Sequence, residues 1–214
     1  WLGCLGAGLQ IIRSLDYTFL EYNKDSFDPL STTFFSTNGH LYFAALDAIY
    51  RLKPGTTILE KQACSAPDPL RFLSFAEDNK GDVWCSTVDG VIYKEVDGVF
   101  VEKEDFRSEN ISDIFDIGFD SNGVLWMASY YNRVYSVQPD GQIETIVIDG
   151  DRQILILDIE LDNEGKLWVA TSKGLFRQNN GDFKKYDLTN FPIENIYSIF
   201  KDSKGRLWIG AKRG

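Results

Sequence analysis

The stretches NGHLYFAA at 38–45, KGDVWCST at 80–87, NGVLWMAS at 122–129, EGKLWVAT at 164–171 and KGRLWIGA at 204–211 are five copies of one phrase, a glycine followed three residues later by an aromatic. Counting Trp1 with Tyr42, Trp84, Trp126, Trp168 and Trp208, the aromatics recur at intervals of 41, 42, 42, 42 and 40 residues. Upstream of the phrase an alternating apolar stretch repeats as well: RFLSFAED at 71–78, IFDIGFD at 114–120, ILDIELD at 156–162 and IYSIFKD at 196–202. Alternation marks a first strand. The aromatic segment is nearly continuous in apolar or small residues, so it reads as a second strand buried on both faces. AIYRL, GVIYKEV, NRVYSV and GLFRQ supply a third strand, and the more polar VFVEKE, IETIVI and FKKYD a fourth. Several short strands in a unit of forty-odd residues are the sequence mark of a β-propeller. The fold class is therefore all-β, a propeller of four-stranded blades with about five repeats, approximately 1–33, 34–70, 71–112, 113–154, 155–195 and a partial 196–214.

Between the first and second strands Asp stands at the first turn position and Gly at the fourth, as in Asp78 to Gly81, Asp120 to Gly123, Asp162 to Gly165 and Asp202 to Gly205. This is the preference of a type I turn, in which the Asp side chain bonds the backbone ahead. A calcium loop needs six to eight oxygen ligands, and each turn offers one. No metal and no cofactor are expected. The first residues, WLGC, and the last, WIGAKRG, both fall inside the repeated motif. The stretch is expected to be a piece of a longer polypeptide, either an arc of a ring of six to eight blades or a closed five-blade ring with a loose tail. In the closed form the strand at 196–202 would join the N-terminal three strands.

A formal charge of −10 repels phosphate backbones and anionic headgroups, so neither nucleic acid nor direct membrane contact is expected. Cys4, Cys64 and Cys85 allow at most one disulfide and lack the spacing of a metal or redox motif. A single histidine, His40, cannot supply a histidine pair for acid–base work. The tryptophans of the second strand are expected in the core between blades.

The pattern I-x-x-D-x-x-G-x-L-W-I-G-T followed by G-L-x-R-Y, seen here as IELDNEGKLWVATSKGLFRQ at 159–178 and IFKDSKGRLWIGAKRG at 199–214, resembles the two-component regulator propeller repeats. YDLTNFPIENIYSIF at 186–200 resembles that family's inter-blade link, with Asn195 before the next first strand and Asn110 of SENISDIF as its apparent counterpart. Tyr42 in place of Trp, Ser36 in place of the turn Asp, and Ala48-Ile49 without the Gly are departures. The resemblance implies a periplasmic or extracellular ligand-sensing module, often for polysaccharide fragments, with neighbouring propellers or domains of the parent chain as partners and a homodimer as one arrangement.

Loops after the second and fourth strands emerge on one face, where a propeller usually binds. That face is expected to gather Asp47, Asp89, Tyr130, Tyr131, Asn132 and Lys173 from short loops, and Phe106, Arg107, Arg152, Asn190 and Phe191, with Phe27, Asp28 and Asp151, from the long connections. Two aromatics in the short loop Tyr130-Tyr131 stand out. The alternatives are a propeller enzyme acting on polysaccharide, which needs two carboxylates about 5 to 9 Å apart over the channel with Asp47, Asp89 and Asp151 as candidates, and an interaction scaffold without a small ligand.

Overall fold

The computed structural model describes residues 2–4, 8–13, 16–19, 32–45, 48–66, 71–150, 153–187 and 195–211, the first three stretches as backbone only. Strands β1 (Leu2–Cys4), β2 (Gly8–Arg13) and β3 (Asp16–Phe19) form a three-stranded antiparallel sheet. Blade 1 follows as β4 (Thr32–Phe35), β5 (Leu41–Ala44), β6 (Ile49–Leu52) and β7 (Leu59–Lys61). A short strand, β8 (Ala63–Cys64), leaves blade 1 and lies parallel along the rim of blade 2, pairing Val99 with Ala63 and Phe100 with Cys64. Blade 2 is β9 (Phe72–Glu77), β10 (Val83–Thr87), β11 (Val91–Val96) and β12 (Val99–Asp105). Blade 3 is β13 (Ile114–Phe119), β14 (Leu125–Ser129), β15 (Arg133–Val137) and β16 (Ile143–Val147), and blade 4 is β17 (Ile156–Leu161), β18 (Leu167–Thr171), β19 (Gly174–Asn179) and β20 (Asp182–Lys185). The chain closes on the hairpin of β21 (Ile196–Lys201) and β22 (Leu207–Ala211). Among the described residues this hairpin pairs with no strand of the N-terminal sheet, so the five-blade closure is not formed there.

The strands fall where alternation and turn residues put them, because each link has its own local cause. At Asp78, one carboxylate oxygen accepts the amides of Lys80 and Asp82 and the other accepts the indole N–H of Trp84 at 2.9 Å. Asp162 repeats this with Glu164, Lys166 and Trp168, and Asp202 with Lys204, Arg206 and Trp208. The carboxylate thus fixes both the turn and the rotamer of the tryptophan six residues on. Opposite each of these rings sits a cation: Lys94 4.9 Å from Trp84, Arg177 5.2 Å from Trp168 and Arg206 5.3 Å from Trp208. Blade 3 lacks this second half, since Ser136 faces Trp126 across the strands and the buried Trp126 indole N–H has no partner. The turn glycines hold φ values of +81° at Gly81 and +76° at Gly205, where a side chain would strain the backbone.

Second strands are buried along their whole length in blades 1, 3 and 4, as expected of a layer covered on both sides. First strands of successive blades pack against one another and line the inside of the arc. Between blades 1 and 2 lies an aromatic cluster of Tyr42, Phe72, Phe75, Tyr93 and Phe100, with Phe34 packed against it. Between blades 3 and 4 the core is aliphatic, built on Val134, Ile146, Ile154, Ile156 and Val169 around Trp126. Trp126 and Trp168 are buried and Trp84 is half-buried, whereas Trp208 is 56% exposed with Phe200 and Tyr197 beside it on the hairpin. No described blade covers that face, which is the physical reason it departs from the other repeats.

Candidate functional site

The face carrying the loops after second and fourth strands is concave at blade 3. A cleft of 600 Å³ is lined there by Asn110, Ser112, Asp113, Tyr131, Arg133 and Val147 among others. Its walls come from two links: the connection entering blade 3, which makes a short 3₁₀ turn at Arg107–Glu109 before Asn110 turns left-handed at φ 56°, and the loop Tyr130–Asn132 between β14 and β15. Tyr131 is 55% exposed and stands edge-on to Tyr130 at 5.3 Å, which in turn lies 5.8 Å from Phe115 on the first strand. Three aromatic rings therefore run in contact from the inner strand to the cleft. The backbone beneath Tyr130 is fixed at both ends, its N–H donating to the Asp113 carbonyl and its carbonyl accepting from Ile156 of blade 4.

The other expected site residues divide by burial. Asn132 is only 7% exposed: its side-chain amide donates to the Asp149 carbonyl at 3.1 Å, and its backbone bonds Ile154 and Ile148. Phe106 is 4% exposed and packs with Ile92, Ile111 and Ile114, its N–H donating to the Gly90 carbonyl. Both side chains are largely buried and anchor their loops, and Asn132 also lines the cleft. Asp89 and Arg107 are brought together, with Arg107 3.9 Å from Asp89 and 2.6 Å from Asp105. The Arg107 side chain, helped by its own amide, lowers the Asp105 carboxyl to about 2. Lys173 is exposed on the loop after β18, one blade further round. Asp47, Arg152, Asn190 and Phe191, with Phe27, Asp28 and Asp151, lie outside the described residues.

His40 lies on the opposite face, between β4 and β5, in a 230 Å³ polar cleft shared with Tyr42, Arg51 and Glu95. Burial first, and then the Arg51 charge, lower its pKa and keep it neutral. Glu95 accepts from the Tyr42 hydroxyl at 2.5 Å and from Arg51 at 2.6 Å, so the cleft is part of the staple between blades 1 and 2.

Two carboxyls that sequence reasoning passed over stand on neighbouring inner strands. Asp116 of β13 accepts from Ser74 of blade 2 and from the Ile159 amide of blade 4 at 2.9 Å. Asp158 of β17 accepts from the Ile199 amide of the final hairpin at 2.7 Å. Burial and the neighbouring Asp116 carboxyl push Asp158 up to about 9. Their spacing signal was the polar third residue of IFDIGF and ILDIEL, 42 residues apart in otherwise apolar strands. Each accepts a backbone amide of the next element round the arc, so both serve to join neighbouring first strands. Among the described residues no group of His, Cys, Asp and Glu is disposed to hold a metal ion, and Cys85 is a buried free thiol.

Residues 190–213 match the family model described as two component regulator propeller, which bears out the resemblance read from the repeats. No curated protein matches the chain in sequence. Among solved structures, the chain is similar over 98% of its length to the extracellular domain of a hybrid two component system from B. thetaiotaomicron, with TM-score 0.74 and 20% identity, and covers 30% of that chain. A streptogramin B lyase matches over 93% of this chain and 67% of its own, with TM-score 0.74 and 18% identity. Virginiamycin B lyase from Staphylococcus aureus matches over 94% and 76%, with TM-score 0.68 and 17% identity. At these identities the likeness establishes the propeller fold, and the chain spans less than a third of the length of the extracellular domain it resembles.

Proposed function

We propose that this chain is part of a non-catalytic, extracytoplasmic sensing propeller of a bacterial two-component or related receptor, and that its ligand docks in the blade 3 cleft against Tyr131. The match of residues 190–213 to the two-component regulator propeller carries the reading, since it alone is specific to a signalling family. The extracellular sensor domain found among the structural neighbours supports the same class and compartment. An exposed tyrosine ring beside Asn110, Ser112, Asp113 and Arg133 suits an oligosaccharide, which presents an apolar ring face and a rim of hydroxyls. Ligand-dependent docking of neighbouring domains or protomers would carry the signal onward.

The lyase neighbours favour no second reading. The single histidine lies on the opposite face, and the Asp116 and Asp158 carboxyls accept backbone amides that join neighbouring first strands.

The test is calorimetric titration of an oligosaccharide panel against the chain and its Tyr131→Ala variant. The expected result is binding of one saccharide class, weakened about tenfold or more in the variant with thermal stability unchanged. Binding unaffected by the substitution would move the site elsewhere, and a panel without any binder would remove the saccharide assignment.

A further inference from the structure

One wall of the blade 3 cleft is built from residues two apart in the chain. Tyr131, Arg133 and Tyr135 all line it, as alternate residues do on one side of an extended segment. The Arg133 amide donates to the Tyr131 carbonyl, which ties the cation and the exposed ring together at a fixed spacing. On β16 the residue in register with Arg133 is Val147, 47% exposed and without charge. The connection entering the blade adds Asn110, Ser112 and Asp113. Arginines elsewhere in the molecule are committed to carboxylates. Arg51, Arg107, Arg177 and Arg206 each hold one at 2.6 or 2.7 Å. Of the arginines whose side chains are described, Arg71 and Arg133 have no such partner among the described residues, and of these two Arg133 lines the cleft. Asp113, the carboxylate of the same cleft, accepts the Ser112 hydroxyl at 3.2 Å and forms no salt bridge with Arg133. An exposed guanidinium with no carboxylate of its own, in a chain of 32 acidic and 22 basic residues, therefore stands beside an exposed aromatic ring.

We propose that Arg133 sets the specificity of this cleft, and that its ligand is an acidic oligosaccharide whose uronic acid carboxylate Arg133 holds while Tyr131 lies against the sugar ring. The assignment rests on the reading of the blade 3 cleft as the ligand site. A guanidinium fork matches a carboxylate with two parallel hydrogen bonds, a gain that a neutral sugar cannot supply. The sugar hydroxyls are left to Asn110, Ser112 and Asp113. As an acceptor, the Asp113 carboxylate takes hydroxyl donors and repels a second anionic group placed against it. The net charge of −10 acts in the same direction at longer range. A sparsely charged chain containing uronic acid is thus favoured over a densely sulfated one.

The experiment is calorimetric titration of uronate-containing oligosaccharides of several linkages, each beside its methyl ester, which keeps the shape and removes the charge. Neutral and sulfated oligosaccharides complete the set, and the proteins are wild type, Arg133→Gln and Tyr131→Ala. One uronate oligomer is expected to bind wild type about tenfold or more tightly than its ester. Arg133→Gln is expected to bring the acid down to the level of the ester and leave the ester unchanged, whereas Tyr131→Ala weakens both. Arg133 is exposed, so the Gln variant should melt with wild type. If it folds poorly, the comparison of acid with ester on wild type still decides. Equal binding of acid and ester, still dependent on Tyr131, would overturn the charge assignment and leave the cleft reading in place. Tighter binding of a sulfated oligosaccharide would overturn the uronate, and a uronate preference that survives Arg133→Gln would overturn the role of Arg133. A set in which no saccharide binds would overturn this assignment and the saccharide reading together.

Discussion

Asp162 shows how much one side chain does in this repeat. It accepts from two backbone amides, from the Trp168 indole at 2.8 Å and from Arg177 at 2.7 Å, whereas Asp120 at the same place in blade 3 holds only the amides of Asn122 and Val124. Asp162→Ala is expected to cost about 2–4 kcal/mol and Asp120→Ala about 1–2 kcal/mol, measured by urea unfolding. Although burial opposes it, the indole, guanidinium and amide donors hold Asp162 below the usual carboxylate range, so its contribution is present at neutral pH and lost as pH falls through that lowered value. The turn itself was legible, because Asp-x-x-Gly has a local mechanism. The indole and guanidinium partners were not, since they depend on where strands β18 and β19 place side chains across the turn. The burial of Phe106 and Asn132 was not legible for a similar reason, since their loop positions carry no signal of the partners, Ile92 and Asp149 among them, onto which they fold.

At the scale of the strand, the repeat period located every first, second and third strand of blades 2 to 4, because alternation and turn glycines are encoded within a few residues. Connections obey no such period. Asn195 precedes Ile196 with φ 56°, donating its N–H to the Ser172 carbonyl. Its structural counterpart is Asp113, with φ 54° and its N–H on the Val88 carbonyl, and not Asn110, because the 3₁₀ turn shifts the register by three residues. Equivalent sequence positions also differ in burial. Trp168→Ala removes a side chain that is 7% exposed and is expected to cost about 3–5 kcal/mol, while Trp208→Ala, at 56% exposure, is expected to cost less than about 1.5 kcal/mol in the same chemical denaturation assay.

Across the whole molecule, the hairpin presents Tyr197, Phe200 and Trp208 on one face beside the outer edge of β22, which no described strand pairs. An apolar face next to an open edge invites association even in a chain of charge −10. Sedimentation velocity is expected to reveal concentration-dependent association that Phe200→Lys reduces, and a strictly monomeric wild type would contradict this. The blades are also joined unequally. Blades 1 and 2 are tied on the turn face by Thr37 and Glu77 and by Tyr42, Arg51 and Glu95, and at the rim by β8 lying along β12. Blades 3 and 4 meet through aliphatic packing, two backbone links at Tyr130 and Asn132, and the hydrogen bond from the Ile159 amide to Asp116. Stiffness is thus graded along the arc. Its first joint carries a strand shared between two blades, whereas the later joint, beside the aromatic cleft, is bridged chiefly by packed aliphatic side chains and backbone links, so anything seated on Tyr131 would bear directly on that seam.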